Sequence, residues 1–443
     1  MASNTVSNTA ASPRSFLFTH WEGGGNTPPM LAIVTRLIAR GHHVRVMSDP
    51  CNREEVEATG ATFVSWTRAP QRADKTIDSD PLRDWEVTSP PAMIGRLRDR
   101  IFIGPARGHA EDVREELSRH PADAVVTSEM LFGAMAGAEA ARVPCVALSA
   151  NIYMFPQEDV PPMGPGFMPA TNVLHRLRDR VVKLVMVREF GKGTTAFNKT
   201  RQALGLSPLG HPFEQLNRLA RHLVLTSAAF DFTSRRPPRQ VMYAGPELGD
   251  PAWTTPWTSP WKETDRRPLV LVGFSTTFQN QLEALRRVVA ALGTLDVRAV
   301  VTTGPSIDAA TLPAAANVHV CVSAPHSELL KEAALAISHC GHGTVIRALA
   351  AGVPLVCMPM GRDQNDNAAR VVFHGAGVRL SPAASAEAIE KAVRQVLGER
   401  RYREAAQQLS GSILSDTRKD LAVSELERLA RVARALGSHE RAS

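Results

Sequence analysis

Apolar and polar positions follow a repeating strand-then-helix rhythm along this chain. Phe16–His20 (FLFTH) is a short apolar run, followed by the loop WEGGGNT and then by Met30, Val34, Leu37 and Ile38. A spacing of i, i+4, i+7, i+8 puts those four on one helical face, which predicts a helix from Pro28 to Arg40. Pro28 suits its first turn and Gly41 its stop. The strand-like run HVRVMS follows. Asp123–Thr127, a helix at Phe132–Ala141 and a strand at Pro144–Ser149 make a second unit of the same kind. Alternation of this sort builds a parallel sheet with helices on its faces.

The rhythm breaks in the middle. Residues 150–170 hold too many Pro and Gly for regular structure, and a loop of that length in a compact domain serves as a lid or pocket wall. Asn172–Phe190 reads as an amphipathic helix. Residues 233–268 read as a linker, in which Pro256 and Pro260 prevent Trp253, Trp257 and Trp261 from sharing a helix face. The rhythm then resumes with Leu269–Phe274 (LVLVGF), the turn Ser275-Thr276-Thr277 and a helix over Gln281–Leu292. The runs RAVVTTG, VHVCV, LAISHC and LVCMPM follow. Unbroken apolar runs suit strands covered on both faces.

The expected fold class is therefore α/β with two domains, which suits a chain of 443 residues. The boundaries read as a disordered start at 1–13, a first domain at 14–232, the linker at 233–268, a second domain at 269–405, and helices at 406–443 that return to the first domain.

Composition removes several classes of function. The formal charge is +7, but the arginines are mixed with acids, as in Arg96–Arg100, which points to a solvated surface and not to nucleic-acid binding. The five cysteines are scattered with no CxxC, against both a disulfide framework and a zinc site. The first residues are small and polar, unlike a signal peptide, and no apolar run is long enough for a membrane span. A cytoplasmic protein is expected.

The chemistry concentrates in Ser338–Val371, SHCGHGTVIRALAAGVPLVCMPMGRDQNDNAARV. It holds two successive strand-to-helix turns. In the first, Gly341 and Gly343 let backbone approach a ligand closely, and a helix start with free N–H groups attracts an anion. His339 and Thr344 add a ring nitrogen and a hydroxyl, so a diphosphate fits here. In the second, Asp363 and Gln364 stand where α/β folds bind ligands, and a carboxylate beside an amide suits paired sugar hydroxyls.

These residues resemble the glycosyltransferases that act on plant and bacterial natural products. His339, Gly341, Gly343 and Thr344 match that family's HxGxxT/S core. Asp363, Gln364 and Asn367 match its DQxxN, PMLAIVTRLIARGHHV its first helix and second strand, and APHSELL its WxPQxxLL. The resemblance implies a GT-B fold of two Rossmann-like domains facing a cleft. The first would hold a small apolar aglycone and the second a UDP- or dTDP-sugar. It also implies transfer with inversion, no metal, and no cofactor beyond the sugar nucleotide as co-substrate. A sugar-nucleotide epimerase or hydrolase, and a non-catalytic relative that retains the donor site, are the competing readings.

The sequence departs from that family at the base. Asn26 stands where the family has a His or Asp, and Ser128 where it has the partner Asp; an Asn amide cannot accept a proton from a hydroxyl. Glu22 and His20 are the expected substitutes, with Glu129 also near. Ser323 replaces a nucleobase-stacking Trp, and Arg347 stands where plant members have a ribose-binding Glu. Ser275 and Thr276 are expected on the donor side. Trp21, Met93, Ile94, Met130, Phe132, Tyr153, Met154, Phe155, Phe167 and Met168 are candidate acceptor-pocket walls, with about half of such a set expected to be ordinary core.

Overall fold

A computed structural model describes residues 12–440 except 88, 252–253, 276–277 and 305–306. Trp253 and Thr276 lie outside the described residues. The chain forms two α/β domains, each built on a parallel sheet.

The first sheet runs β1 (Ser15–Thr19), β2 (His43–Ser48), β3 (Thr62–Ser65), β4 (Ala124–Ser128), β5 (Cys145–Ser149), β6 (Arg221–Val224) and β7 (Val241–Tyr243) in chain order. In space the order is β3-β2-β1-β4-β5-β6-β7. The register is continuous, with Phe16 opposite Val44 on one side and Ala124 on the other. The central strands are apolar and buried, as a sheet covered on both faces requires. One face packs on the Thr27–Ala39 helix through Met30, Ile33, Val34 and Leu37. The other packs on a cluster built around Trp66, Phe102, Phe132, Phe190 and Phe197.

The second sheet runs β8 (Leu269–Gly273), β9 (Arg298–Thr302), β10 (Val318–Cys321), β11 (Ala333–Ser338), β12 (Leu355–Cys357) and β13 (Gly377–Arg379), in the spatial order β10-β9-β8-β11-β12-β13. In both sheets the chain moves outward from a central strand, returns, and continues on the other side. The strand order reverses between β1 and β4, and again between β8 and β11. Ligands in open α/β sheets bind beyond the carboxyl ends of strands at such reversals.

Three features differ from the sequence reading. Val241–Tyr243, inside the expected linker, pairs with β6 and completes the first sheet. A strand of three residues beside RRPPRQ has too short a pattern to stand out. The closing helices divide: Arg400–Arg418 packs in the second domain through Ala406, Leu409 and Ile413, whereas Leu421–Glu440 packs on the first through Ala422, Val423 and Leu426. The helix Val173–Gly191 forms, but much of its apolar surface faces outward. Among the described residues no helix is long and apolar enough to cross a membrane.

Candidate functional site

The turns beyond β1 and β4 face those beyond β8 and β11. Arg362, at the turn after β12, crosses between the domains. Its guanidinium donates to both carboxylate oxygens of Asp84 (2.7 and 3.1 Å) and lies 3.5 Å from Asp80. It also donates to the Gly23 carbonyl at 3.5 Å. Trp85 meets Phe278 edge-to-face at 5.5 Å. These contacts hold the second-domain turns after β8 and β12 against the first-domain loops after β1 and β3.

On the second-domain side, β11 delivers His339, which is 7% exposed with Nδ1 3.4 Å from the Gly273 carbonyl. Burial, reinforced by nearby Arg362, lowers its pKa to about 4, so the ring is neutral at pH 7. Cys340 then adopts φ 70°, an uncommon left-handed turn for a residue with a side chain. Gly341 follows with no room for more: a Cβ there would lie 2.6 Å from His339 Nε2. The helix His342–Ala350 starts at Gly341 without a side-chain cap. Its first amides and its dipole are left for an anion. Arg347 turns back to the Gly343 carbonyl (2.9 Å) and to Asp250 (3.3 Å), so it braces the linker. Ser323 is held by Thr255, hydroxyl to hydroxyl at 3.0 Å. Ser275 is buried at the end of β8, and its carbonyl accepts from Gln281.

The second turn is organised by its own polar side chains. Gln364 Oε1 accepts from the Met360 and Gly361 amides (2.7 and 3.1 Å), and its Nε2 donates to Gln279 (2.7 Å). Asp363 accepts from Asn367 at 2.7 Å and also bonds the Asn151 side chain. Burial raises its pKa above the usual carboxylate range, against the pull of those bonds. A carboxylate has about four acceptor sites, so Asp363 keeps capacity for a ligand hydroxyl. Gln279 Nε2 and Asn367 Oδ1, beside it, are buried without a hydrogen-bond partner, as are Thr19 Oγ and Trp21 Nε1 across the cleft. These unpartnered polar atoms on both sides of the cleft are groups that a polar ligand could satisfy.

On the first-domain side, Glu22 is 3% exposed and absorbed in its loop. One oxygen accepts from the Gly24 amide at 2.6 Å, the other from the Thr27 hydroxyl at 3.2 Å, with Lys75 at 3.6 Å. Burial raises its pKa, opposed by Lys75. His20 Nε2 bonds the same Thr27 hydroxyl at 2.9 Å, and burial lowers its pKa to about 3. Asn26 accepts from the Gly23 amide (3.2 Å) and donates to the Trp21 carbonyl (3.1 Å), tying the loop together.

A small cavity lies between the ends of β1, β4 and β5, lined by Thr19, His20, Asn26, Met30, Ser128, Glu129 and Ala150. Asn26 and Ser128 thus meet at one place, and Glu129 stands with them. Glu129 is 7% exposed, and its carboxylate accepts from the Ser128 hydroxyl at 3.3 Å. Burial pushes its pKa up to about 7; the bonds it accepts pull it down, and the charge of Asp363 adds to the rise. It is the carboxylate in this cavity with few internal partners.

Of the expected pocket walls, Phe132 is fully buried and ringed by Phe102, Phe155, Phe190, Phe197 and Phe213, so it supports the wall from behind. Phe155 belongs to the same cluster. Tyr153 is 8% exposed and its amide is held by Asp231. Trp21 and Met130 are half-buried. The loop after β5 is fixed by the second domain: Asp366 accepts from the Gly164 and Gly166 amides (2.6 and 3.2 Å), and Arg370 pairs with Asp231 (2.8 Å). Gln279, Asn151, Arg362 and Asp366 carry no motif of their own in the sequence. Only DQNDN, in which Asp366 lies, hinted at the last.

Comparison with known proteins agrees with this fold. Residues 286–429 match the family model described as "Erythromycin biosynthesis protein CIII-like, C-terminal domain". Over 395 residues the chain is 33% identical to 4'-demethylrebeccamycin synthase of Lentzea aerocolonigenes, covering 87% of this chain and 92% of that one. It is 25% identical over 360 residues to the NDP-glycosyltransferase YjiC of Bacillus subtilis (strain 168), covering 80% and 82%. Among solved structures, the calicheamicin glycosyltransferase CalG4 superposes with a TM-score of 0.74 at 23% identity, over 94% of this chain and 98% of that one. The glycosyltransferase VinC, solved in complex with dTDP, superposes with a TM-score of 0.65 at 19% identity, over 95% and 100%.

Proposed function

We propose that this chain, which belongs to the glycosyltransferase family of 4'-demethylrebeccamycin synthase, moves a sugar from a UDP- or dTDP-sugar to a small apolar natural-product aglycone, with inversion and without a metal. The observation that carries the reading is the pairing of an uncapped helix start at Gly341 with a cavity, across the cleft, that holds Glu129.

The diphosphate sits at the His342 helix start, where amides, the helix dipole and the Thr344 hydroxyl meet its charge. His339, neutral at pH 7, offers a hydrogen bond and no charge. Asp363, with Gln279 and Asn367 beside it, recognises the sugar hydroxyls; the orphan Gln279 Nε2 and Asn367 Oδ1 support this. The acceptor enters from the first domain, against Trp21 and Met130.

Glu129 is the proton acceptor. The acceptor heteroatom attacks the anomeric carbon on the face opposite the nucleotide. The bond from that carbon to the phosphate oxygen breaks, its electron pair stays on the diphosphate, and the proton passes to the Glu129 carboxylate. Glu22 and His20 spend their groups on Thr27 and Gly24, which leaves Glu129 as the better base. Asn26 and Ser128 shape the cavity without accepting a proton.

The test is an assay with UDP- and dTDP-sugars, with and without a panel of polycyclic and macrolide aglycones, in excess chelator. The expected result is a glycoside of inverted configuration that forms only with acceptor present. Sugar release or epimerisation without acceptor means a hydrolase or epimerase. Donor binding with no turnover across the panel means a non-catalytic relative. Activity lost in chelator and restored by Mg²⁺ removes the metal-free part of the proposal.

A further inference from the structure

The helix Val173–Gly191 carries an apolar face that no described part of the chain covers. Val173, Leu174, Leu177, Val181, Leu184 and Val185 are 69, 74, 55, 51, 66 and 40% exposed. At 3.6 residues per turn, all six fall within about one third of the helix circumference. Arg176 and Arg180, both exposed, border the stripe on one side, and Arg188, also exposed, stands at its C-terminal end. The two carboxylates of this helix are spent elsewhere. Asp179 is buried and bound by Arg178 at 2.7 Å, and Glu189 is paired with Lys192 at 2.6 Å. The opposite face anchors the helix, since Phe190 stacks with Phe213 and packs edge-on to Phe102.

An apolar patch of this extent on a folded surface marks an interaction. We propose that this stripe docks the protein on an anionic lipid surface. Three observations select that occupant. The exposed apolar side chains are all aliphatic, so the stripe can enter the acyl boundary without burying a polar side-chain group. The border is basic, and arginines beside an apolar stripe match acidic headgroups over acyl chains. A second copy would bring arginine borders against each other, which opposes self-association. The stripe also adjoins the 150–170 loop: Lys183 Nζ donates to the Glu158 carbonyl at 2.9 Å, and the Arg178 guanidinium lies 3.8 Å over the Phe167 ring. A lipid surface there lies beside the segment that walls the cleft.

The experiment is co-sedimentation of the full chain with phosphatidylcholine vesicles with and without phosphatidylglycerol, read beside sedimentation velocity without lipid. No sugar nucleotide is present, so the outcome is independent of the proposed reaction. Wild type is expected to bind the anionic vesicles at least fivefold more than the neutral ones, and to be released by high salt. Leu174→Gln/Leu177→Gln/Leu184→Gln should lose at least fivefold of that binding with unchanged circular dichroism, because these positions are exposed. Arg176→Glu/Arg180→Glu keeps the stripe and should lose the preference for phosphatidylglycerol. Wild type that stays in the supernatant with anionic vesicles overturns the proposal, as does equal binding by the leucine variant. A lipid-free dimer that the leucine variant converts to monomer also overturns it, by assigning the stripe to a second copy.

Discussion

Two strand-to-helix turns occupy matching places in the two domains, and they are used in opposite ways. After β1, the loop leading into the Thr27 helix is filled by the chain's own anion, because Glu22 takes the Gly24 amide and the Thr27 hydroxyl, with Lys75 beside it. After β11, the His342 helix begins at Gly341 with no side-chain cap, and the His339 imidazole beside it is neutral. An internal carboxylate satisfies its loop but leaves little for an outside ligand. On the proposed reading the uncapped turn holds the phosphate, while the turn satisfied by Glu22 is scaffold for the cavity behind it. The same residue type thus has unlike surroundings in one domain: Glu22 accepts from Gly24 and Thr27 beside Lys75, whereas Glu129 accepts from the neighbouring Ser128 hydroxyl.

The comparison breaks most sharply at Glu129. Glu129→Gln should lower transfer at least 100-fold, about 2.7 kcal/mol, with donor affinity within threefold of wild type. In wild type the rate should climb with pH and level off above about 8, because a carboxylate with a pKa of about 7 must be ionised to accept a proton. Stability carries the opposite sign. The folded chain holds this proton to about 7 and the unfolded chain only to its ordinary 4.5, so the contribution is full below about 4.5 and is lost as pH rises through 7. Denaturant unfolding should then find Glu129→Gln more stable than wild type at pH 8, by up to about 3 kcal/mol, and equal at pH 4.

A smaller effect is expected at the uncapped turn. His339→Ala should weaken donor binding and slow transfer about tenfold, or about 1.4 kcal/mol, by calorimetry and initial rates. Unchanged values would remove the diphosphate from this turn. The smallest effect on rate is expected at the filled turn. Glu22→Gln should cost about 1–2 kcal/mol of stability, since an amide cannot accept from both donors, with transfer reduced only a few-fold. A loss of transfer as large as that of Glu129→Gln, with stability unchanged, would reverse the two assignments.

The second domain was the more legible in sequence. β8, β11 and β12 fall where apolar runs put them, and glycines, a histidine and a hydroxyl in HCGHGT carry the proposed anion site by local chemistry alone. The first domain's turn was less so. Whether Glu22 or Glu129 remains available depends on which neighbours consume it, and Gly24, Thr27 and Lys75 act through a fold that one-dimensional spacing does not report. Helix Val173–Gly191 teaches the same point: periodicity announced a helix but not that leucines at 174, 177 and 184 would face outward.

The hold of Asp366 on Gly164 and Gly166, with that of Arg370 on Asp231, bears on how such proteins can be recombined. The loop that, on the proposed reading, walls the acceptor's cleft is encoded in the first half of the gene but latched by the second. A hybrid spliced within the linker would inherit an aglycone wall from one parent and its latch from the other. Exchange of the sugar-recognising half should therefore disturb aglycone choice as well, unless the latch residues travel with the loop they hold.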